Sequence, residues 1–273
     1  MPASRDIPVR TLTIASSDSG GGAGIQADLK AFARCGTHGM SAIVALTAQN
    51  TLAVTDIHEC PPEFVTAQLD AIFADLAPHA AKTGMLFSAP IITAVADALA
   101  AQSGAGRATP LVVDPVMIAS SGARLLRDDA VSALVTRLFP LATVVTPNLM
   151  EAQALTGLDT EDRAALAERL VAMGARAALV TGGHGRLPVD HLLADGTHFD
   201  IPVAREDIAA THGAGCTHSA ALAACLARGD SIVDAARRAS LVATAAVAHG
   251  LVGLGGGDGP VDALDVRSFA PPA

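Results

Sequence analysis

The amino-acid sequence predicts an α/β protein with a doubly wound, mostly parallel central sheet and helices on both faces. Short runs rich in β-branched residues alternate with Ala-rich amphipathic segments, and strands separated by helical connections form parallel βαβ units. The 273 residues could fill one large domain or two small ones, but no change in composition marks a linker. We therefore expect a single domain over residues 1–273, with flexible ends at about 1–8 and 260–273.

The predicted strands are short apolar runs bounded by turn residues or helical segments, as in a sheet buried on both faces. The last two flank Asp195-Gly196, a dipeptide typical of tight hairpin turns, and should therefore form a hairpin. The predicted strands cover about residues 9–15, 41–46, 54–58, 81–86, 111–114, 143–146, 178–181, 189–194 and 197–203.

The predicted helices are the longer Ala-rich segments between these runs. Pro61-Pro62 suits a helix start, because the first turn of a helix needs no N–H donors. Ligands of doubly wound sheets bind beyond the carboxyl ends of the strands, so polar residues that follow strands are the candidate site residues. The predicted helices cover about residues 25–34, 61–76, 89–101, 128–138, 149–156, 161–173, 217–227 and 232–249.

Charge and aromatic content argue against nucleic-acid and membrane partners. The formal net charge is −9 and the two lysines are Lys30 and Lys82, whereas DNA, RNA and anionic membranes favour clustered Lys and Arg. Seven Phe and no Trp or Tyr provide few surfaces on which bases could stack. The acidic balance by itself indicates solubility, and it is compatible with anionic small molecules held by backbone N–H groups and a metal ion.

Several features favour a cytoplasmic protein. Residues 1–10 contain no apolar region of the kind that secretory signals carry. The longest stretch without Asp, Glu, Lys or Arg, 239–257, is Ala- and Gly-rich and is typical of a buried helix with its exit loop rather than a membrane span. Widely spaced cysteines without a C-x-x-C pair fit reduced cytosolic thiols, and they are Cys35, Cys60, Cys216 and Cys225.

A glycine loop before a predicted helix is the candidate phosphate site. No Gly is followed by Lys, so a Walker-type P-loop is absent, and the glycine turn at 20–24 lacks the G-x-G-x-x-G spacing. Gly213-Ala214-Gly215-Cys216 allows the backbone to approach a ligand closely, and the helix N-terminus offers unpaired N–H donors. The helix dipole is also expected to lower the pKa of the Cys216 thiol. The alternative is a loop that caps a helix beside a small buried cysteine.

Polar residues that follow two neighbouring predicted strands form a candidate Mg²⁺ site. Asp114 ends one strand, while Asn148 and Glu151 follow the next strand and lie three residues apart on one face of a helix. Mg²⁺ prefers a few carboxylates and waters shared with substrate phosphates, so Asp114 and Glu151 suit it, with Asn148 as a neutral neighbour. For each residue alone, a turn or helix-capping role is the alternative.

Taken together, the motifs of the chain resemble the hydroxymethylpyrimidine/phosphomethylpyrimidine kinases, which belong to the ribokinase-like superfamily. The resemblance runs in matching order from about residue 11 to residue 260. The motifs are DSGGGAGIQADLK at 18–30, ALTAQNT at 45–51, KTGML at 82–86, DPVM at 114–117, TPNLMEA at 146–152 and GAGC at 213–216.

The resemblance implies a ribokinase-like fold and an ATP- and Mg²⁺-dependent kinase of thiamin biosynthesis, commonly a homodimer. It implies phosphorylation of 4-amino-5-hydroxymethyl-2-methylpyrimidine and then of its monophosphate. Cys216 matches the cysteine that this family carries where other ribokinase-like enzymes have an Asp base, so it is a general base or part of the anion site. Gln49 matches the pyrimidine-recognition residue, and an amide can pair with an aminopyrimidine edge. Further matching substrate-pocket positions are Ala23, Asp28, Met85 and Val116, although Asp28 suits a surface helix position equally well.

The chain departs from the family pattern at two positions. The family often has Lys before the Gly-Gly pair of the ATP-phosphate segment, whereas Thr181 precedes Gly182-Gly183 here. Either His184 or Arg186 replaces that contact, or Mg²⁺ and the loop at 213–216 suffice without it. Ala214 stands where Thr is commoner in the glycine loop, and we expect little effect because backbone N–H groups hold the anion. The ATP-binding residues that the resemblance implies are Thr181, Gly183, Gly213 and Gly215.

Two alternative functions remain after this comparison. A pyridoxal kinase would phosphorylate a similar heteroaromatic alcohol, but Gln49 and Met85 favour the pyrimidine. A catalytically silent protein that binds a thiamin precursor is a second alternative, which the departure at Thr181 suggests. The presence of Asp114, Glu151 and Cys216 together favours an enzyme, because each is a plausible catalytic group.

Overall fold

A nine-stranded sheet forms the centre of the part of the chain that the computed structural model describes, residues 7–106, 108–117, 128–183, 188–204 and 208–268. The strand order is β3-β2-β1-β4-β5-β6-β7-β8-β9. In this spatial order, the neighbouring strands β2, β1, β4, β5, β6 and β7 pair in parallel. Strands β3, β8 and β9 pair antiparallel at the two edges. The strands are β1 Arg10–Asp18, β2 His38–Gln49, β3 Val54–Glu59, β4 Ala80–Thr83, β5 Leu111–Val113, β6 Val144–Val145, β7 Ala177–Val180, β8 Val189–Ala194 and β9 Thr197–Pro202.

Helices cover both faces of the sheet, so the predicted doubly wound α/β fold is confirmed. One buried cluster packs α2, α3, α5 and α6 against one face, and a second packs α1, α7 and α8 against the other. The α-helices are α1 Gly24–Arg34, α2 Pro62–Asp75, α3 Ala89–Gly104, α4 Asp128–Ala133, α5 Leu149–Thr156, α6 Arg163–Ala172, α7 Ala214–Ala227 and α8 Ile232–Ala248.

Several predicted boundaries differ from the structure, among them those of α7, α4 and β2. Helix α7 begins at Ala214 rather than at residue 217, so the glycine loop is itself the first turn of the helix. The helix predicted over 128–138 ends as an α-helix at Ala133 and continues as a π-turn over Leu134–Leu138. Strand β2 extends to Gln49, three residues beyond the predicted end, because β3 pairs with it up to that residue. Tertiary pairing therefore extends a strand that local composition underestimates.

Residues near the C-terminal end contact the rest of the fold. Val261 is buried, and its N–H donates to the carbonyl oxygen of His212, while Asp262 N–H donates to Ala246 at 2.9 Å. These contacts attach the chain to the segment before α7 and to α8. Residues 1–6 and 269–273 lie outside the described residues.

The parallel strands end at one edge of the sheet and deliver polar side chains there. Asp18 ends β1, Thr83 ends β4, and Asp114, Thr146 and Thr181 directly follow β5, β6 and β7. This is the edge at which doubly wound sheets bind ligands. Among the described residues, no helix combines the length and the apolar composition that crossing a bilayer requires.

Candidate active site

A cavity of about 690 Å³ opens at the carboxyl ends of the strands. Its walls come from β1, β2, β4 and the segments after β5, β6 and β7, together with the N-terminus of α7 and one side of α8. Every site residue predicted from the sequence lines this cavity except Asp28. The predicted residues that it brings together are Ala23, Gln49, Met85, Asp114, Val116, Asn148, Glu151, Thr181, Gly183, Gly213, Ala214, Gly215 and Cys216.

The glycine loop starts α7 in direct contact with the glycine turn after β1. Gly213 is the N-cap residue and has a left-handed backbone with φ 83°. A Cβ atom at this position would lie 1.8 Å from the carbonyl oxygen of Gly22. Both the backbone conformation and the close approach therefore require glycine. The N-terminal N–H groups of α7 point the positive end of the helix dipole toward the cavity.

Asp18 and His212 fix these two turns to each other, and the sequence analysis did not identify them. Asp18 accepts hydrogen bonds from the N–H groups of Gly20, Gly22 and Ala23 at 2.8–3.0 Å, and its Oδ2 lies 3.0 Å from His212 Nε2. Burial tends to raise the pKa of Asp18, but His212 and the backbone donors outweigh it and lower the pKa below its usual value. An Asp that opens a glycine run is a local signal for such a turn.

The environment of Cys216 contradicts the predicted direction of its pKa shift. Burial, together with the charges of Asp28 and Asp114, raises the pKa of the Cys216 thiol to about 12, although Lys82 and the backbone N–H of Gly24 act in the opposite direction. The expected lowering by the helix dipole is therefore wrong in sign, because desolvation disfavours the thiolate more than the helix start favours it. Cys216 is a neutral thiol at neutral pH.

Asp114 and Glu151 form a pair of carboxyl groups in the cavity wall. Burial and the neighbouring charge of Asp114 raise the pKa of Glu151 to about 8, and burial raises the pKa of Asp114 as well. Ser219 Oγ donates to Asp114 Oδ2 at 2.7 Å, which holds that carboxylate beside the first turns of α7. Two carboxyl groups that oppose each other's ionisation are suited to a cation that would neutralise both.

Asn148 caps a helix, which is the alternative to metal binding that its sequence position also allows. Its Oδ1 accepts from Glu151 N–H at 3.0 Å, and Glu151 Oε2 accepts from Asn148 N–H at 2.9 Å, so the two residues form a capping box at the start of α5. Within the described part of the chain, no cluster of three or more His, Cys, Asp and Glu side chains is arranged to hold a metal ion. The donor set therefore fits Mg²⁺ only if phosphates and waters supply the remaining ligands, which is the usual arrangement for this ion.

Asp28 occupies neither of the positions that the sequence suggested. It lies on α1, is fully buried and does not line the cavity. Its two carboxylate oxygens accept from Lys82 Nζ at 2.9 and 3.0 Å, and Oδ2 also accepts from Thr13 Oγ1 at 2.6 Å. Asp28 is therefore the buried counter-ion of a lysine that does line the cavity, rather than a substrate contact or a surface residue.

The predicted acceptor end of the cavity contains Gln49 among small and apolar side chains. Thr47 Oγ1 lies 3.0 Å from Gln49 Oε1 and 2.9 Å from the carbonyl oxygen of Ser17, so its one hydroxyl proton is shared between these two acceptors and positions the amide. Ala23, Met85 and Val116 supply apolar surface to the same cavity. A primary amide with an oriented oxygen and two N–H donors suits recognition of a heteroaromatic edge.

Thr181 and Gly183 line the same cavity. Asp190 and His218, which the sequence did not predict as site residues, hold this segment in place. Asp190 Oδ1 accepts from Gly182 N–H at 2.6 Å, and its Oδ2 lies 3.3 Å from His218 Nε2. Asp190 on β8 thereby links the segment after β7 to the first turn of α7. His184 and Arg186, the expected replacements for the missing lysine, lie outside the described residues.

Comparison with known proteins identifies the family. The family model described as phosphomethylpyrimidine kinase matches residues 18–262. The chain belongs to this family. The hydroxymethylpyrimidine/phosphomethylpyrimidine kinase of Haemophilus influenzae is 47% identical over 93% of this chain and 96% of its own length. The enzyme of the same name from Bacillus subtilis is 46% identical over 93% and 94%.

Solved structures agree with the family assignment and with the predicted ribokinase-like fold. The phosphomethylpyrimidine kinase of Clostridium difficile 630 superposes with a TM-score of 0.76 at 38% identity, covering 86% of this chain and 98% of its own. The pyridoxal kinase of Staphylococcus aureus in complex with AMP-PCP and pyridoxal has a TM-score of 0.84 at 32% identity, with 96% of each chain covered. The resemblance inferred from the motifs is thus confirmed, and the chain is a kinase.

The contact between the two glycine turns predicts that Gly213 and Gly215 respond differently to alanine. Gly213→Ala should destabilise this phosphomethylpyrimidine kinase by about 2–5 kcal/mol, because it combines a left-handed residue with an overlap against Gly22. At Gly215 an added Cβ has nothing within 4 Å, so Gly215→Ala should keep the fold and add up to about 1 kcal/mol of helix stability. Urea unfolding of both variants measures this, and equal stabilities would contradict the contact.

Proposed function

We propose that the chain phosphorylates 4-amino-5-hydroxymethyl-2-methylpyrimidine with ATP and then phosphorylates the monophosphate to the diphosphate, for thiamin biosynthesis. The observation that carries this proposal is that a single cavity is lined by Gln49, by the N-terminus of α7 and by Thr181. An acceptor, a transferring phosphoryl group and a nucleotide can therefore share one cavity. Family membership supports the same pair of reactions.

In each step, a bond forms between an acceptor oxygen and the γ-phosphorus of ATP, and the bond from that phosphorus to the bridging oxygen breaks as ADP leaves. The alcohol releases its proton to water in the first step, whereas the dianionic monophosphate attacks through an oxygen that carries no proton. A general base can therefore matter only in the first step. Backbone N–H groups at the start of α7, around Gly213 and Gly215, stabilise the charge on the transferring group in both steps.

We assign the remaining roles from the position of each residue in the cavity. Asp114 and Glu151 would hold Mg²⁺ together with the ATP phosphates, and Asn148 keeps Glu151 in place through the capping box. Bound Mg²⁺ neutralises charge on the phosphates and orients them for in-line transfer. Thr181 and Gly183 bind the nucleotide phosphates. Gln49 Nε2 donates to a ring nitrogen of the pyrimidine, while Oε1 has a second lone pair for the exocyclic amine.

Cys216 belongs to the anion site in this proposal rather than acting as the base. A thiol that stays protonated at neutral pH is a poor proton acceptor, and a loose phosphoryl-transfer transition state needs mainly positioning and charge stabilisation. Cys216 shapes the cavity wall at the start of α7.

We also propose that the enzyme is a cytoplasmic homodimer. The cysteines of the described chain are all free, as expected for a reducing compartment. The dimer rests on the resemblance to the family. Light scattering of the purified protein at micromolar concentration measures the oligomeric state, and a monomeric mass would contradict the dimer.

A pyridoxal kinase is the second candidate, favoured by the structural similarity to the Staphylococcus aureus enzyme. Pyridoxal and hydroxymethylpyrimidine both carry a hydroxymethyl group on a flat heteroaromatic ring. The pyrimidine carries an amine beside that group, which the Gln49 amide can recognise. Comparing turnover of the two alcohols therefore separates the candidates.

Incubation with Mg-ATP and hydroxymethylpyrimidine tests the proposed function. We expect the monophosphate to appear first and the diphosphate later, because one site accepts the alcohol and then its phosphate. Mass spectrometry of samples taken over time measures both products. Formation of the monophosphate without any diphosphate would reduce the protein to a single-step kinase and favour the pyridoxal candidate.

Replacing Cys216 by Ala distinguishes a base from an anion-site residue. If the proposal is correct, both steps should slow by a similar factor of less than about ten, because the backbone N–H groups remain. A general base would instead give a loss of about 10²–10⁴-fold in the alcohol step and leave the monophosphate step nearly unchanged. Steady-state kinetics with each acceptor decides between the two patterns.

Replacing Glu151 by Gln separates the metal role from the capping role. Gln can still accept the Asn148 N–H, so α5 and the melting temperature should change little, while loss of the charge should lower activity by at least about tenfold. Asn148→Ala is the matched control, which removes the cap and should cost about 0.5–2 kcal/mol of stability. If Glu151→Gln lowers stability as much as Asn148→Ala and leaves activity intact, Glu151 has a purely structural role.

A further inference from the structure

Lys82 is a fully buried lysine in the wall of a cavity whose other charged residues are mostly acidic. Among the described residues that line this cavity, it is the sole Lys or Arg. The proposed mechanism does not use it, although it opens one of the motifs that mark the family. The acidic residues of the same wall are Asp18, Asp114, Glu151, Asp190 and Asp258.

Among the described residues, the three N–H donors of the Lys82 ammonium group have two hydrogen-bond acceptors. Two of its three donors go to the oxygens of Asp28, at 2.9 and 3.0 Å. The nearest oxygen of Asp114 lies 4.0 Å away, which is within range of charge attraction but beyond hydrogen-bond length. In the described structure, no third acceptor is within hydrogen-bond distance of Lys82 Nζ. One N–H can therefore donate to a bound anionic group.

Two features direct this donor toward the cavity rather than into the core. Asp28 lies on the side away from the cavity, because it does not line the wall whereas Lys82 does. Gly84 lines the wall beside Lys82, and a Cβ atom there would lie 2.9 Å from Nζ. Glycine at residue 84 therefore keeps any side chain off the ammonium group.

The charge on Lys82 is permanent. Burial tends to lower the pKa of Lys82, but the charge of Asp28, its hydrogen bonds and the charge of Asp114 outweigh it and raise the pKa above its ordinary value. The ion pair with Asp28 thus has its positive end at the cavity, close to Asp114 and to Cys216 at the start of α7. A neutral alcohol gains little from such a charge, whereas a phosphate monoester dianion in the same place gains a charge-assisted hydrogen bond.

We propose that Lys82 donates a hydrogen bond to the phosphate group of the monophosphate acceptor, and so allows one site to accept an anion after a neutral alcohol. This inference rests on the proposed function, in which the same cavity performs both phosphorylations. Lys82 is then a specificity residue for the second step, and Asp28 is the residue that positions it.

The test compares two variants that both carry Asp28→Asn. Removing Lys82 alone would leave Asp28 as an uncompensated buried charge and could unfold the protein. We therefore compare Asp28→Asn, which keeps the ammonium group, with Asp28→Asn/Lys82→Met, which removes it. Relative to the single variant, the double variant should lose about 10- to 150-fold in kcat/KM for the monophosphate, as expected for a hydrogen bond to a charged group. Its kcat/KM for the alcohol should fall by a much smaller factor, because the neutral alcohol accepts no charge-assisted hydrogen bond from Lys82.

Binding measurements without ATP keep the inference testable if turnover is lost in both variants. Calorimetric titration with the monophosphate should then show the same selective loss of affinity in the double variant, with a much smaller loss for the alcohol. Equal losses for both acceptors would overturn the inference and make Lys82 a structural residue. If the wild-type enzyme forms no diphosphate from the monophosphate, the proposed function fails, and the comparison of monophosphate affinities still decides the role of Lys82.

Discussion

The carbonyl oxygen of Gly22 occupies the space in which a side chain at residue 213 would begin, and the geometry of the cavity depends on this contact. It brings the turn after β1 against the first turn of α7, although the two segments lie near opposite ends of the chain. Asp18 and His212 reinforce the contact with a buried hydrogen bond. The acceptor side of the cavity and the helix N-terminus that receives phosphate charge therefore have a fixed separation, which in-line transfer requires.

A row of buried charges runs beneath this contact from α1 to the strand ends. Asp28, Lys82 and Asp114 follow one another at ion-pair distances, and Glu151 adds a carboxyl group whose pKa Asp114 raises. Buried ion pairs contribute little net stability, because desolvation offsets most of the attraction. We therefore attribute this arrangement to function: it places positive charge toward an anionic acceptor and negative charge where a cation would bind.

The sequence predicted the fold well because the periodicity of apolar residues determines which segments become strands and helices. It also located most of the cavity wall, since residues that follow parallel strands must meet at one edge of the sheet. It did not identify the partners of Asp28 or Asp18, because those contacts join distant segments and no local spacing records them. The shift of the Cys216 pKa was predicted with the wrong sign for a related reason, since desolvation depends on the complete surroundings of a side chain and not on its position in a helix.

The separation of 194 residues between Asp18 and His212 has a consequence for synthesis of the protein on the ribosome. The turn after β1 emerges early, but its partner emerges only when most of the chain has been translated. Until then, the Asp18 carboxylate holds its own turn through local N–H groups, while the cavity lacks the wall that α7 provides. A nascent chain can thus form the first strands of the sheet and still be unable to bind substrate, and ligand binding can begin only after α7 has left the exit tunnel.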